Sequence, residues 1–134
     1  KSAFLKEVTM KLKELTAVLN KLKQMREIQG IYLFGSHARN KPLPLSDIDL
    51  AIIAAPLSSN QKVAITLAGS TDKFDISLLD DLPPVIAYRV FKEGKPLYVK
   101  DQLAVHRRQV RAMRDYFDYK PALDRLVKRT LKNA

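Results

Sequence analysis

Residues 31–54 read IYLFGSHARNKPLPLSDIDLAIIA. Ile31-Tyr32-Leu33-Phe34 is a compact run of β-forming residues that stops at Gly35-Ser36, the pattern of a buried first strand. Two prolines within Asn40-Lys41-Pro42-Leu43-Pro44 forbid ladder and helix alike, so a loop follows. Asp47 to Ala54, rich in isoleucine, then predicts a second strand. Side chains two apart on a strand share a face, with backbones about 6–7 Å apart. Asp47 and Asp49 therefore project together, while Ile48 and Leu50 turn into the core.

Working outward, Phe4 to Ile28 predicts a long amphipathic helix, because Leu5, Val8, Leu12, Leu15, Leu19 and Leu22 recur in steps of three and four. Gly30 is the expected stop. The stripe is expected to pack on the protein's own sheet, a coiled-coil seam being the alternative. Downstream, a short helix is expected over Asn60 to Leu67. Lys73 to Leu79 alternates, with Phe74, Ile76 and Leu78 on one face and Asp75, Ser77 and Leu79 on the other, which predicts a third strand. Pro83-Pro84 opens a further helix closed by Glu93-Gly94. Pro96 to Val99 reads as a short edge strand and Gln102 to Tyr119 as a basic helix, with Pro121 separating it from a last helix ending near Leu131. The expected fold class is α/β (α+β): one small mixed sheet flanked by helices, in a single domain over residues 1–134, divided into an N-terminal helix (1–29), a core (30–100) and a basic helical tail (101–134).

Composition narrows the function. The 134 residues are 46% hydrophobic, enough for one ordinary core. No apolar run reaches membrane-spanning length, and the start KSAFLKEVTMKLKEL lacks the plan of a signal peptide. The absence of cysteine excludes disulfides, thiolate zinc sites and cysteine nucleophiles, and fits a reducing cytoplasm. The formal charge of +10 sits on the flanks: residues 1–29 hold seven Lys/Arg against three acids, 30–100 eight against seven, and 101–134 nine against four. Such flanks suit RNA, an acidic protein or solvent.

Asp47 and Asp49 repel each other on a rigid strand, and a divalent cation is the physical remedy; magnesium, which takes carboxylate and phosphate oxygens together, is the natural candidate. If the third strand neighbours the second, Asp75 joins them, giving the carboxylates that two metal ions need for phosphoryl or nucleotidyl transfer. Gly35-Ser36 supplies the other half. Glycine at a strand end allows close approach to a phosphate, and the following N–H groups with a serine hydroxyl cradle its oxygens.

The segment LFGSHARNKPLPLSDIDLAII, with ten residues between Gly35-Ser36 and Asp47-Ile48-Asp49, resembles the Gly-Ser and Asp-x-Asp signature of the DNA polymerase beta-type nucleotidyltransferase superfamily. Continuing through FDISLLDDLPPVIAYRVFKEGKPLYVKD, it is similar to the minimal nucleotidyltransferase (MNT) antitoxins paired with HEPN ribonuclease toxins. The resemblance covers most of residues 28–128 and implies a polymerase-beta-type fold. It also implies that Gly35 and Ser36 hold a triphosphate, that Asp47 and Asp49 ligate two magnesium ions, and that Asp75 is the third carboxylate, helping to activate the attacking hydroxyl. Arg39 matches an arginine that often follows the Gly-Ser turn. Asn40 departs from the usual glycine, a mild change because asparagine tolerates positive φ. Within the MNT group, the implied reaction moves AMP from ATP to a tyrosine of the cognate toxin.

Taken alone, Asp47 and Asp49 read as a solvated strand edge; with Gly35-Ser36 and Asp75 they read as a site. Asp72, Asp80 and Asp81 compete for the third position but fall at strand ends, where acids cap or solvate. Ser36 has no histidine–acid pair to make it a nucleophile. His37 and His106 lack an arginine four to six residues upstream, so the chain does not resemble the ribonuclease toxin. Tyr116 and Tyr119 among arginines read as packing before base stacking. Three functions follow: adenylylation of a partner protein, inhibition of a toxin by docking alone, and nucleotide transfer to RNA such as tRNA. A single small domain leaves little chain to enclose a small acceptor, which favours a macromolecular one.

Overall fold

In a computed structural model of the chain, residues 2–35, 48–69 and 73–133 are described, the side chains of residues 2–11 excepted. The described elements run α1 (Ser2–Lys23), β1 (Ile28–Phe34), β2 (Ile48–Ala54), α2 (Ser59–Ala68), β3 (Phe74–Leu78), a 3-10 turn (Leu79–Asp81), α3 (Pro84–Glu93), β4 (Lys95–Val99) and α4 (Gln102–Lys132). The strands form one mixed sheet in the order β3-β2-β1-β4. β1 runs antiparallel to β2 and β4, while β2 and β3 are parallel, as a helical crossover between them permits.

The two-residue period of the strands sorts the core onto two faces. Ile48, Leu50 and Ile52 of β2, with Phe74, Ile76 and Leu78 of β3, pack with Val18 and Leu22 of α1 and Ile65 of α2. On the other face Ala51 and Ile53 meet Ala87 and Val90 of α3 and Val105 and Ala112 of α4. The expected in-and-out alternation of β2 and β3 is therefore observed. Of the α1 stripe, Leu15, Leu19 and Leu22 pack on the sheet, where Val18, outside the stripe, joins them, and Leu12 is exposed; Leu5 and Val8 lie outside the described side chains.

The first helix ends earlier than its periodicity suggests. Ile28 and Gly30 belong to β1, where a bulge advances two residues opposite one on β2. That bulge turns Ile28 onto the α1 face although Gly30 lies toward α4. A Cβ on Gly30 would come within 2.8 Å of the Val105 side chain, so glycine is required by helix-to-strand packing and not by a helix stop. Downstream, α2 starts at a capping box in which the Ser58 hydroxyl accepts from the Gln61 N–H at 3.2 Å and the Gln61 side chain accepts from the Ser58 N–H at 2.9 Å.

The second correction concerns Pro121, which lies inside one continuous helix α4 instead of dividing two. Proline removes one backbone donor, but at this exposed position water can take up the carbonyl it leaves unpaired. Pro121→Ala is expected to stabilise this stretch by up to about 3 kcal/mol, read as slower amide hydrogen exchange over residues 117–133 with the exchange of β2 unchanged. Tyr116 stacks on Tyr88 of α3 with ring centroids 4.0 Å apart, and Phe117 meets both rings edge-on. Those rings serve α3–α4 packing, as expected for Tyr116. Among the described residues no helix is long and apolar enough to cross a membrane.

Candidate active site

Three descriptors of the sequence motif can be placed: Gly35, Asp49 and Asp75. Ser36, Arg39 and Asp47, together with Asn40 and His37, lie outside the described residues. Asp49 is the second residue of β2 and stands opposite Phe34, the last residue of β1. On its other side it stands in direct register with Asp75 of β3. In-register residues on neighbouring strands project from the same face, with backbones about 4.8 Å apart. The two carboxylates thus rise side by side from the α3/α4 side of the sheet, at the end where β1 leaves it. Asp49 is half-buried and Asp75 is exposed.

Gly35 completes this corner for two physical reasons. Its φ of 77° lies in the left-handed region, and a Cβ built on it would overlap the Asp49 carboxylate. The bend after β1 therefore brings bare backbone against Asp49, the close approach that a phosphate-binding turn needs.

Sequence reading passed over the surroundings of this corner. Ser77 lies in register with Ala51, two residues beyond Asp75 on the same face, and is half-buried. Behind Asp49, Tyr32 packs edge-on against Phe91 with centroids 5.2 Å apart, and burial raises the pKa of its phenol above the usual 10.0. Asp80, a rival for the third carboxylate, instead pairs with Arg108 at 2.7 Å. Asp81 follows it in the 3-10 turn beyond β3, and Asp72 is outside the described residues. Among the described acids of this stretch, Asp75 is the one that lies on β3 in register with Asp49.

Oxygen donors suit magnesium, and two carboxylates on adjacent strands beside a side-chain-free bend leave room for an ion and a phosphate together. Among the described residues no three acids or histidines cluster.

Residues 14–103, more than half of the chain, match the polymerase beta nucleotidyltransferase family. The chain belongs to that family. A predicted protein adenylyltransferase of Methanocaldococcus jannaschii is 28% identical over 74 residues, 55% of this nucleotidyltransferase-family chain and 58% of the relative; the match thus spans little more than half of that curated protein. Among solved structures, a chain of a toxin–antitoxin complex with AMP-PNP superposes with a TM-score of 0.70 at 24% identity, covering 89% of this chain and 97% of that one. A chain from tri-AMPylated HEPN toxin of Shewanella oneidensis in complex with MNT antitoxin gives 0.65 at 20% identity, covering 88% and 98%. At these identities the likeness is one of fold, and it agrees with the mixed sheet and the long last helix of this family member.

Proposed function

We propose that this chain is a magnesium-dependent nucleotidyltransferase that acts as an MNT antitoxin, moving AMP from ATP to a tyrosine hydroxyl of a HEPN ribonuclease toxin. The observation that carries it is the register of Asp49 with Asp75 beside the glycine bend. The reading is supported by the family match, by the adenylyltransferase relative and by fold likeness to chains from complexes that contain AMP-PNP or an AMPylated toxin.

Asp47, Asp49 and Asp75 would hold two magnesium ions, and Gly35 with Ser36 would grip the triphosphate; Arg39 is a further nucleotide contact. Bound magnesium would offset the phosphate charge and acidify the attacking hydroxyl. In the transfer, the tyrosine oxygen bonds to the α-phosphorus, the bond from that phosphorus to the α,β-bridging oxygen breaks, and pyrophosphate leaves. Asp75, exposed where Asp49 is half-buried, would take the proton of the incoming hydroxyl. The half-buried Asp49 is fixed by strands on both sides and positions the phosphate end.

The test is incubation of the chain with ATP labelled at the α-phosphate, magnesium and a candidate HEPN toxin. Label on the HEPN protein, mapped by mass spectrometry to tyrosine and lost on chelation, is the expected result. Neutralisation of the toxin without label would favour a docking module, and label on tRNA alone would favour an RNA enzyme.

A further inference from the structure

The opposite end of the sheet carries a second concave site. Parallel strands β2 and β3 end there, and the carboxyl ends of parallel strands are where open α/β sheets commonly form ligand crevices. A cavity of about 550 Å³ opens at this end, within the range of small-molecule sites. It starts three residues along both strands from the Asp49–Asp75 pair, at Ile52 and Leu78, roughly 10 Å away. Those two residues and Leu57 give it apolar lining.

Its charged lining is unlike that of the first site. Lys62 of α2 and Arg107, Arg108 and Arg111 of α4 face Asp80 and Asp81 of the 3-10 turn, so cations outnumber acids by four to two. The arginines sit three and four residues apart, which places their side chains along one flank of α4. Only one of the four is neutralised by an ion pair among the described residues: Arg108 Nη2 donates to Asp80 Oδ1 at 2.7 Å. The other terminal nitrogen of Arg108, on a side chain that is only 18% exposed, is buried and has no hydrogen-bond acceptor among the described residues. A buried guanidinium N–H without an acceptor is costly, planar guanidiniums pair bidentately with phosphate as with carboxylate oxygens, and the excess of cations over acids in this lining leaves donors for a further oxyanion.

We infer that this cavity is a binding site for a small phosphate monoester with an apolar body. Its phosphate meets Arg107, Arg108 and Arg111, and its body lies against Ile52 and Leu78. The site is separate from the nucleotide corner and does not depend on the transfer reaction assigned to it.

The full-length chain, labelled for NMR, would be titrated in EDTA with inorganic phosphate and then with AMP, following backbone amides and arginine Nε–H signals. Saturable shifts confined to Arg107, Arg108, Arg111 and the amides of Ala55 and Leu57 are expected. The exposed pair Arg107→Ala with Arg111→Ala should weaken AMP binding by about tenfold or more. Asp49→Asn with Asp75→Asn should leave it unchanged. Shifts that do not saturate, that spread equally over Arg125, Lys128 and Arg129, or that move to Asp49 and Asp75 would overturn the assignment. So would an RNA oligonucleotide that shifts these signals where phosphate and AMP do not.

Discussion

Asp75→Asn is expected to slow AMP transfer by about 10²–10⁴-fold, the range associated with loss of a positioned general base. The replacement keeps the shape of the side chain and removes its charge. Because Asp75 is exposed on β3, stability should change by no more than about 0.5 kcal/mol. Asp49→Asn should slow transfer at least as severely, since Asp49 touches the glycine bend as well as standing beside Asp75. Steady-state transfer rates with thermal melts of both variants check this. A rate within about threefold of wild type for Asp75→Asn would remove Asp75 from the reaction.

Gly35→Ala should damage both folding and transfer. A β-carbon at φ 77° costs about 1–2 kcal/mol, and here it would also drive into the Asp49 carboxylate. The carboxylate must then move, and a displacement near 1 Å at a reacting centre costs on the order of 10²-fold in rate. Gly35→Asn separates the two effects. Asparagine accepts positive φ more readily but still carries the intruding carbon. It should therefore recover part of the melting temperature while transfer stays low. Recovery of the rate along with stability would show that the overlap with Asp49 has no part in activity.

Much of this architecture was legible because the strands are half-buried. Alternation through Ile48, Leu50, Phe74, Ile76 and Leu78 reported which side of each strand faces α1 and α2, and so which side carries Asp49 and Asp75. Strand order was not legible; that β3 lies against β2 in parallel comes from the crossover through α2, which no local pattern specifies. Gly30 misled because a glycine after an apolar helical stripe looks like a stop, whereas its need is set by Val105, 75 positions later. Pro121 looks like a helix boundary because its local penalty is large, yet at this exposed position solvent absorbs that penalty and α4 continues. The basic cavity was invisible for a related reason. Lys62, the α4 arginines and Asp80 are far apart in sequence and each looks like ordinary surface charge until the sheet end brings them together.

On the function proposed, Asp49 and Asp75 share metal beside a phosphate-holding bend. A crystal of the chain grown with manganese and a non-hydrolysable ATP analogue, measured at the manganese absorption edge, tests it directly. The account predicts anomalous density bridging the Asp49 and Asp75 carboxylates with the analogue's phosphates against Gly35. Manganese and triphosphate lodged elsewhere, with those two carboxylates uncoordinated, would contradict it.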